Sequence, residues 1–175
     1  MRKFIAILTC MILLAGCTGT PLKKQTFTIE LGDEVYDNPS VYLKENVNTS
    51  GMVVKAKESG IRKENKQFVS GNNDYLMVGT YDFAIETKSG KEIPFKVKIK
   101  DTKPPTLENG DREIFVEKGT VINWDAYFKA HDLSGTSYEI NPYIDTGNPG
   151  SYTVELKVSD RFGNSISKSI VINVQ

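Results

Sequence analysis

The sequence predicts an all-β protein built from two tandem β-sandwiches. Three observations predict it: runs in which apolar and polar residues alternate, turn residues between those runs, and one pattern that occurs twice. In an extended strand every second side chain lies on the same face, so alternation marks a half-buried strand. Tyr81, Phe83 and Ile85 alternate with Asp82, Ala84 and Glu86, and Tyr152, Val154, Leu156 and Val158 repeat the alternation. The duplication is explicit in Gly79-Thr80-Tyr81 and Gly150-Ser151-Tyr152, and in Phe27-Thr28-Ile29-Glu30-Leu31-Gly32 and Ile114-Phe115-Val116-Glu117-Lys118-Gly119. Self-similarity of this kind reads as one module used twice. A module of this size buries the dry faces of its sheets by packing two of them together.

Residues 1–16 have the parts of an export signal. Arg2 and Lys3 supply the cationic start, an apolar run extends from Phe4 to Ala15, and Ala15 and Gly16 are small. The run is shorter than the roughly twenty apolar residues a spanning helix needs, so no permanent transmembrane anchor is expected. Leu14-Ala15-Gly16-Cys17 matches the lipobox of bacterial lipoproteins. That resemblance implies cleavage between Gly16 and Cys17 and a diacylglyceryl group on the Cys17 thiol, with the palmitate-type acylation of such proteins. Two acyl chains suffice to hold a soluble domain on a membrane. Residues 17–25, small, polar and basic, are expected to form a lipidated cysteine followed by a flexible tether.

Residues 26–101 form the first module and residues 102–175 the second. Lys88-Ser89-Gly90 and Asp160-Arg161-Phe162-Gly163-Asn164 are turns, each followed by a last alternating strand, Ile93 to Ile99 and Ile166 to Ile172. The matched pairs lie farther apart in the first module, which therefore carries additional loop or strand between Gly51 and Leu76. Asn123-Trp124-Asp125-Ala126-Tyr127-Phe128 is compatible with a helical turn at a strand crossing. Asp101-Thr102-Lys103-Pro104-Pro105 restricts the backbone at two successive prolines and makes a short, stiff joint.

These residues resemble the bacterial immunoglobulin-like domains of exported surface proteins. In the second module Thr102-Lys103-Pro104-Pro105, Val116-Glu117-Lys118-Gly119, Gly150-Ser151-Tyr152-Thr153-Val154 and Val158-Ser159-Asp160-Arg161-Phe162-Gly163-Asn164 carry the likeness. The first module shares the opening strand, the Gly79-Thr80-Tyr81 entry and the last hairpin. The resemblance implies that Tyr81 and Tyr152 occupy the position whose hydroxyl bonds back across the preceding corner, with simple coverage of the sheet edge as the alternative. Phe83 and Val154 then stand where such domains often carry a cysteine, which implies a core closed by apolar contact.

Of 22 basic and 22 acidic residues, only Arg2 and Lys3 leave with the signal, so the mature chain has a net charge of −2. Near-neutrality argues against a nucleic-acid footprint or an electrostatic footprint for an anionic bilayer. Cys10 also leaves with the signal, and a lipidated Cys17 leaves no thiol for a disulfide or a catalytic nucleophile. His131 is the single histidine, and its neighbour Asp132 points the other way on an extended chain. No catalytic residue, metal or cofactor is assigned. Asp101, Asp132 and Asp160 fall in predicted loops and are the candidate calcium ligands, although calcium needs six to eight oxygens and Asx-turns explain Asp132 and Asp160 as well. Trp124, Tyr127 and Phe128 are the candidate binding aromatics, set against burial of Trp124 as core. The expected function is a non-catalytic binding or spacer module, tethered by Cys17 to the extracytoplasmic face of a cell membrane and presented to cell-wall polymer or another exported protein. The alternatives are an adhesin-like or accessory subunit gripping one exported partner by strand addition, and a wall-modifying enzyme.

Overall fold

A computed structural model describes residues 20–108, 110 and 112–175. The expected signal segment, its expected cleavage site at Gly16 and the expected lipidation site Cys17 lie outside the described residues.

The first module runs β1 (Thr26–Glu30), α1 (Pro39–Tyr42), β2 (Val53–Ala56), β3 (Ile61–Glu64), β4 (Gln67–Ser70), β5 (Gly79–Glu86) and β6 (Glu92–Lys100). The second runs β7 (Thr106–Leu107), β8 (Glu113–Val116), α2 (Trp124–Tyr127), β9 (Ala130–His131), β10 (Ser137–Asn141), β11 (Gly150–Ser159) and β12 (Ser165–Val174). The chain is all-β apart from two four-residue helical turns.

Each module has one four-stranded sheet, in the order β1-β6-β5-β2 and β10-β11-β12-β8, with one two-stranded pair beside it, β3-β4 or β7-β9. Both large sheets use the same device. A long antiparallel hairpin (β5 with β6, β11 with β12) has an earlier strand, β1 or β8, laid parallel along its second strand, with Phe27 opposite Val97 and Ile114 opposite Ile172. This shared register is the structural form of the sequence repeat.

Alternation places the core. Phe83, Ile85, Phe95, Val97 and Ile99 are buried in the first module, and Val154, Leu156, Val158, Ile170 and Ile172 in the second. Phe83 and Val154, where apolar contact was expected to close the core, are each almost inaccessible. Phe83 meets Phe68 of β4 edge-on with centroids 5.0 Å apart, which ties the β3-β4 hairpin to the sheet. Ala84 sits on the face expected to be wet, yet it is buried between its register partners Lys55 and Pro94. A methyl group beside a proline ring and a lysine stem is covered whichever face it takes.

The extra length of the first module is the β3-β4 hairpin. Asn65 and Lys66 form its turn, both at positive φ (48° and 67°), the conformation that matches the twist of a two-residue hairpin.

The segment expected to be a loose tether is shorter than residues 17–25. Leu22 is buried and bridges to Leu43, Lys23 N–H donates to the Tyr42 carbonyl at 2.8 Å, and Lys44 N–H donates to the Pro21 carbonyl at 2.9 Å. An apolar side chain at position 22 and two main-chain bonds outweigh the polar, basic composition on which flexibility was expected. Residues 21–25 therefore belong structurally to the first module.

Candidate functional site

The candidate site is the joint between the modules, where the linker of residues 101–105 meets one end of each sheet. Strand β1 ends at Glu30, whose carboxylate accepts from Thr102 N–H at 2.7 Å and Thr102 Oγ1 at 2.8 Å. These bonds and the neighbouring Lys103 charge hold Glu30 below the usual carboxylate range, although burial opposes them. Lys103 Nζ also lies 3.9 Å from Asp33. From the other side, Asn164 Nδ2 donates to the Asp101 carbonyl at 3.2 Å. Leu133 presses so closely on Gly32 (φ +87°) that a Cβ there would meet Leu133 Cδ1 at 2.6 Å. The backbone angle favours glycine at position 32, and the tip of the exposed Leu133 side chain packs over it.

Three loops converge here. Asp101 follows β6, Asp132 follows β9 and Asp160 follows β11, and the three place carboxylate oxygens within 4.8 Å of one another. The sequence located these aspartates in loops; the fold brings them together. Asp132 Oδ1 accepts from Ser134 N–H and Ser134 Oγ, each at 2.7 Å, the Asx-turn expected of it. Asp160 is buried in its own turn. Its Oδ1 accepts from Phe162 N–H (2.8 Å) and Asn164 N–H (2.9 Å), and its Oδ2 accepts from Asn164 Nδ2 (2.6 Å). Burial works against ionisation of Asp160, but these donors overcome it and its pKa is lowered. Asp101 is the opposite case. Its Oδ2 is buried with no hydrogen-bond partner among the described residues. Burial first, then the charges of Asp132, Asp160 and Glu30, raise its pKa, and the nearby Ser134 hydroxyl, which donates to Asp132, opposes them only in part.

Beside the cluster lies a cleft of about 510 Å³ bordered by Glu30, Leu31, Asp101, His131, Asp132 and Leu133. His131 sits on β9 with Nε2 3.4 Å from Glu108 Oε2, and its main chain pairs with Thr106. Glu30 and Asn164 were not among the sequence-derived candidates. The Asp160-to-Asn164 spacing across a glycine turn was the available signal for Asn164, whereas the role of Glu30 depends on a residue 72 positions away.

The binding aromatics separate. Phe128 is fully buried in the second core, so it is withdrawn as a ligand contact: its position at the end of α2 points it under the sheet. Trp124 is half-buried, stacked on Tyr138 with centroids 6.3 Å apart and tilted against Phe128. Tyr127, also half-buried, donates through its hydroxyl to the Phe115 carbonyl at 2.8 Å. Helix α2 forms where a helical turn was expected.

No family model and no curated protein matches the sequence. Among solved structures, the chain is similar to human mucin-like protocadherin EC1-2, with 16% identity over 88% of this chain and 97% of that chain and a TM-score of 0.33. It is also similar to the fibronectin(III)-like modules of Clostridium thermocellum CbhA, with 14% identity over 89% and 91% and a TM-score of 0.30. A third is protocadherin gammaB7 EC3-6, with 13% identity over 88% and 46% and a TM-score of 0.29. The all-β fold of the chain rests on its own strand order and register.

Proposed function

We propose that this chain is a lipid-anchored, non-catalytic spacer or binding module of the bacterial cell envelope, held on the extracytoplasmic face of a membrane through Cys17. The observation that carries the reading is the joint: Glu30, Thr102, Leu133 and Asn164 link both modules to the linker, so two small sandwiches act as one arm. An arm of this kind keeps its far module at a set distance from the anchor. Cell-wall polymer or another exported protein is the proposed partner. Fractionation tests the anchor: the native chain should partition with membranes, and Cys17→Ser should move it to the soluble fraction. Recovery of the native chain as a soluble, unacylated species would sink the reading. X-ray scattering of the mature chain tests the arm, which requires one elongated arrangement instead of a spread of separations.

A second reading is favoured by the unpartnered Asp101 Oδ2 and adds a divalent cation to the joint. Asp101, Asp132 and Asp160 would supply hard oxygen ligands of the kind calcium takes, and water and main-chain carbonyls would have to complete the six to eight. The thermal midpoint in millimolar calcium against chelator decides it. A rise in the native chain that disappears in Asp101→Asn supports the cation, and an unmoved midpoint ends the idea.

A further inference from the structure

The near-neutral charge of the whole chain conceals a polarised first module. At its joint end lie Glu30, Asp33, Glu34 and Asp101, against Lys100 opposite Glu30 on β6 and Lys103 beside Asp33. Its opposite end is set by the start of β1, which runs parallel to β6, and by the β5-β6 turn over residues 87–91. Lys88 and Lys91 are in that turn. Gly51, on the loop leading into β2, packs against the stem of Lys88. Lys23 and Lys24 precede β1, and Lys44 is tied to Pro21 beside the Leu22 to Leu43 bridge.

All five lysines are exposed, and none forms an ion pair among the described residues. Lys23 Nζ instead donates to the main-chain carbonyls of Ser40 and Val41. The nearby carboxylates Glu86 and Glu92 are already taken by Lys55 and Lys57, which leaves Glu45 as the local opposing charge. Residues 1–19 contain no acidic side chain that could neutralise the end from the sequence preceding it.

Chain length supplies the second argument. With Pro21 and Leu22 held in the module, Cys17 and Pro21 are four residue steps apart, at most about 14 Å when extended. That is comparable to the Debye length of about 8–10 Å in physiological salt. A lipid on Cys17 therefore keeps this end of the module close to the headgroups, within a distance comparable to the reach of their electrostatic field.

We infer that Lys23, Lys24, Lys44, Lys88 and Lys91 form a docking face for anionic phospholipid headgroups, which seats the first module on the bilayer and points the second away from it. The inference rests on the anchor proposed above. Basic residues close to an anionic surface each favour association by roughly five-fold, and salt weakens the effect.

The test uses the mature chain, residues 17–175, coupled through Cys17 to a maleimide phospholipid, so that anchoring does not depend on cellular acylation. Lysine acetylation rates are read residue by residue by mass spectrometry on phosphatidylcholine vesicles and on vesicles with about a third phosphatidylglycerol, in roughly 0.1 M salt. On the anionic vesicles the five lysines should react about five-fold more slowly or less, with Lys129 and Lys157 of the second module unchanged. The protection should vanish in about 1 M salt, and Lys88→Glu with Lys91→Glu should reduce it at Lys23, Lys24 and Lys44. Equal rates on the two vesicles, protection that survives high salt, or protection by a soluble polyanionic wall polymer but not by anionic vesicles would overturn the inference. Mass spectrometry of the native chain reads the anchor separately: a bare Cys17 there overturns the anchor, whereas equal rates overturn the docking face with the anchor intact.

Discussion

Tyr81 and Tyr152 do the same job in the two modules. Tyr81 donates its hydroxyl to the Met77 carbonyl at 2.7 Å, and Tyr152 donates to the Asn148 carbonyl at 2.9 Å, in both cases four residues upstream. Each ring lies against the glycine two positions before it, Gly79 or Gly150, where a Cβ would come within 3.3–3.4 Å of the tyrosine. The Gly-x-Tyr repeat thus lets each ring lie close over its glycine, and the corner bond, one of two readings open from the sequence, is the one formed. Tyr81→Phe and Tyr152→Phe should each cost about 1 kcal/mol in denaturant unfolding, the worth of one hydrogen bond. The joint aspartates should respond to pH in opposite directions. Asp160, with its pKa lowered, contributes stability that is present above its unfolded value and lost as pH falls through the folded one. Asp160→Asn should therefore destabilise the protein at neutral pH by about 1–3 kcal/mol, with the gap to the native chain closing in acid. Asp101, with its pKa raised, is destabilising once ionised. Without added calcium, Asp101→Asn should be at least as stable as the native chain at neutral pH, by at most about 1 kcal/mol, and the difference should fade as pH drops through the folded-state pKa. Thermal melts across pH check both signs.

Among the elements, alternation located the long strands, because a strand with one dry face writes that face into every second residue. The β3-β4 hairpin was harder to locate. Its turn, Asn65-Lys66, lacks the glycine that usually marks a two-residue hairpin, and Arg62, Lys63 and Glu64 hide the alternation. Lys66 holds φ +67° at a cost that glycine would avoid. Lys66→Gly should stabilise the first module by roughly 0.5–1 kcal/mol, readable as a higher denaturant midpoint with an unchanged slope. The short pair β7-β9 was illegible for a different reason: two residues are too few to show a period.

At the scale of the whole molecule, the decisive residue is Leu22. Composition placed it in a flexible tether, but it is 1% exposed and closes the end of the first core. Leu22→Ala should cost about 2–5 kcal/mol, as for other buried leucines, and should free residues 18–25 to behave as the longer tether their composition suggests. Unfolding would report the cost, and faster amide exchange at Lys23 and Lys44 would report the release. The same burial fixes Pro21 and Leu22 in the first module beside the lysines at that end. The near-neutral charge of the chain describes neither end, because charge summed along a sequence loses the positions the fold assigns to it.

From the sequence alone came the β class, the duplication, the long hairpins, and the loop placement of Asp101, Asp132 and Asp160. All of these are local: alternation, turn chemistry and motif spacing act over a few neighbouring residues. Tertiary structure decided what depends on distant residues meeting. It brought three aspartates from loops up to 59 positions apart into one cluster, set Glu30 against Thr102, buried Phe128 and Leu22, and separated the lysine-rich end of the first module from its carboxylate-rich end. Convergence of that kind depends on strand order and register, and a one-dimensional pattern records neither.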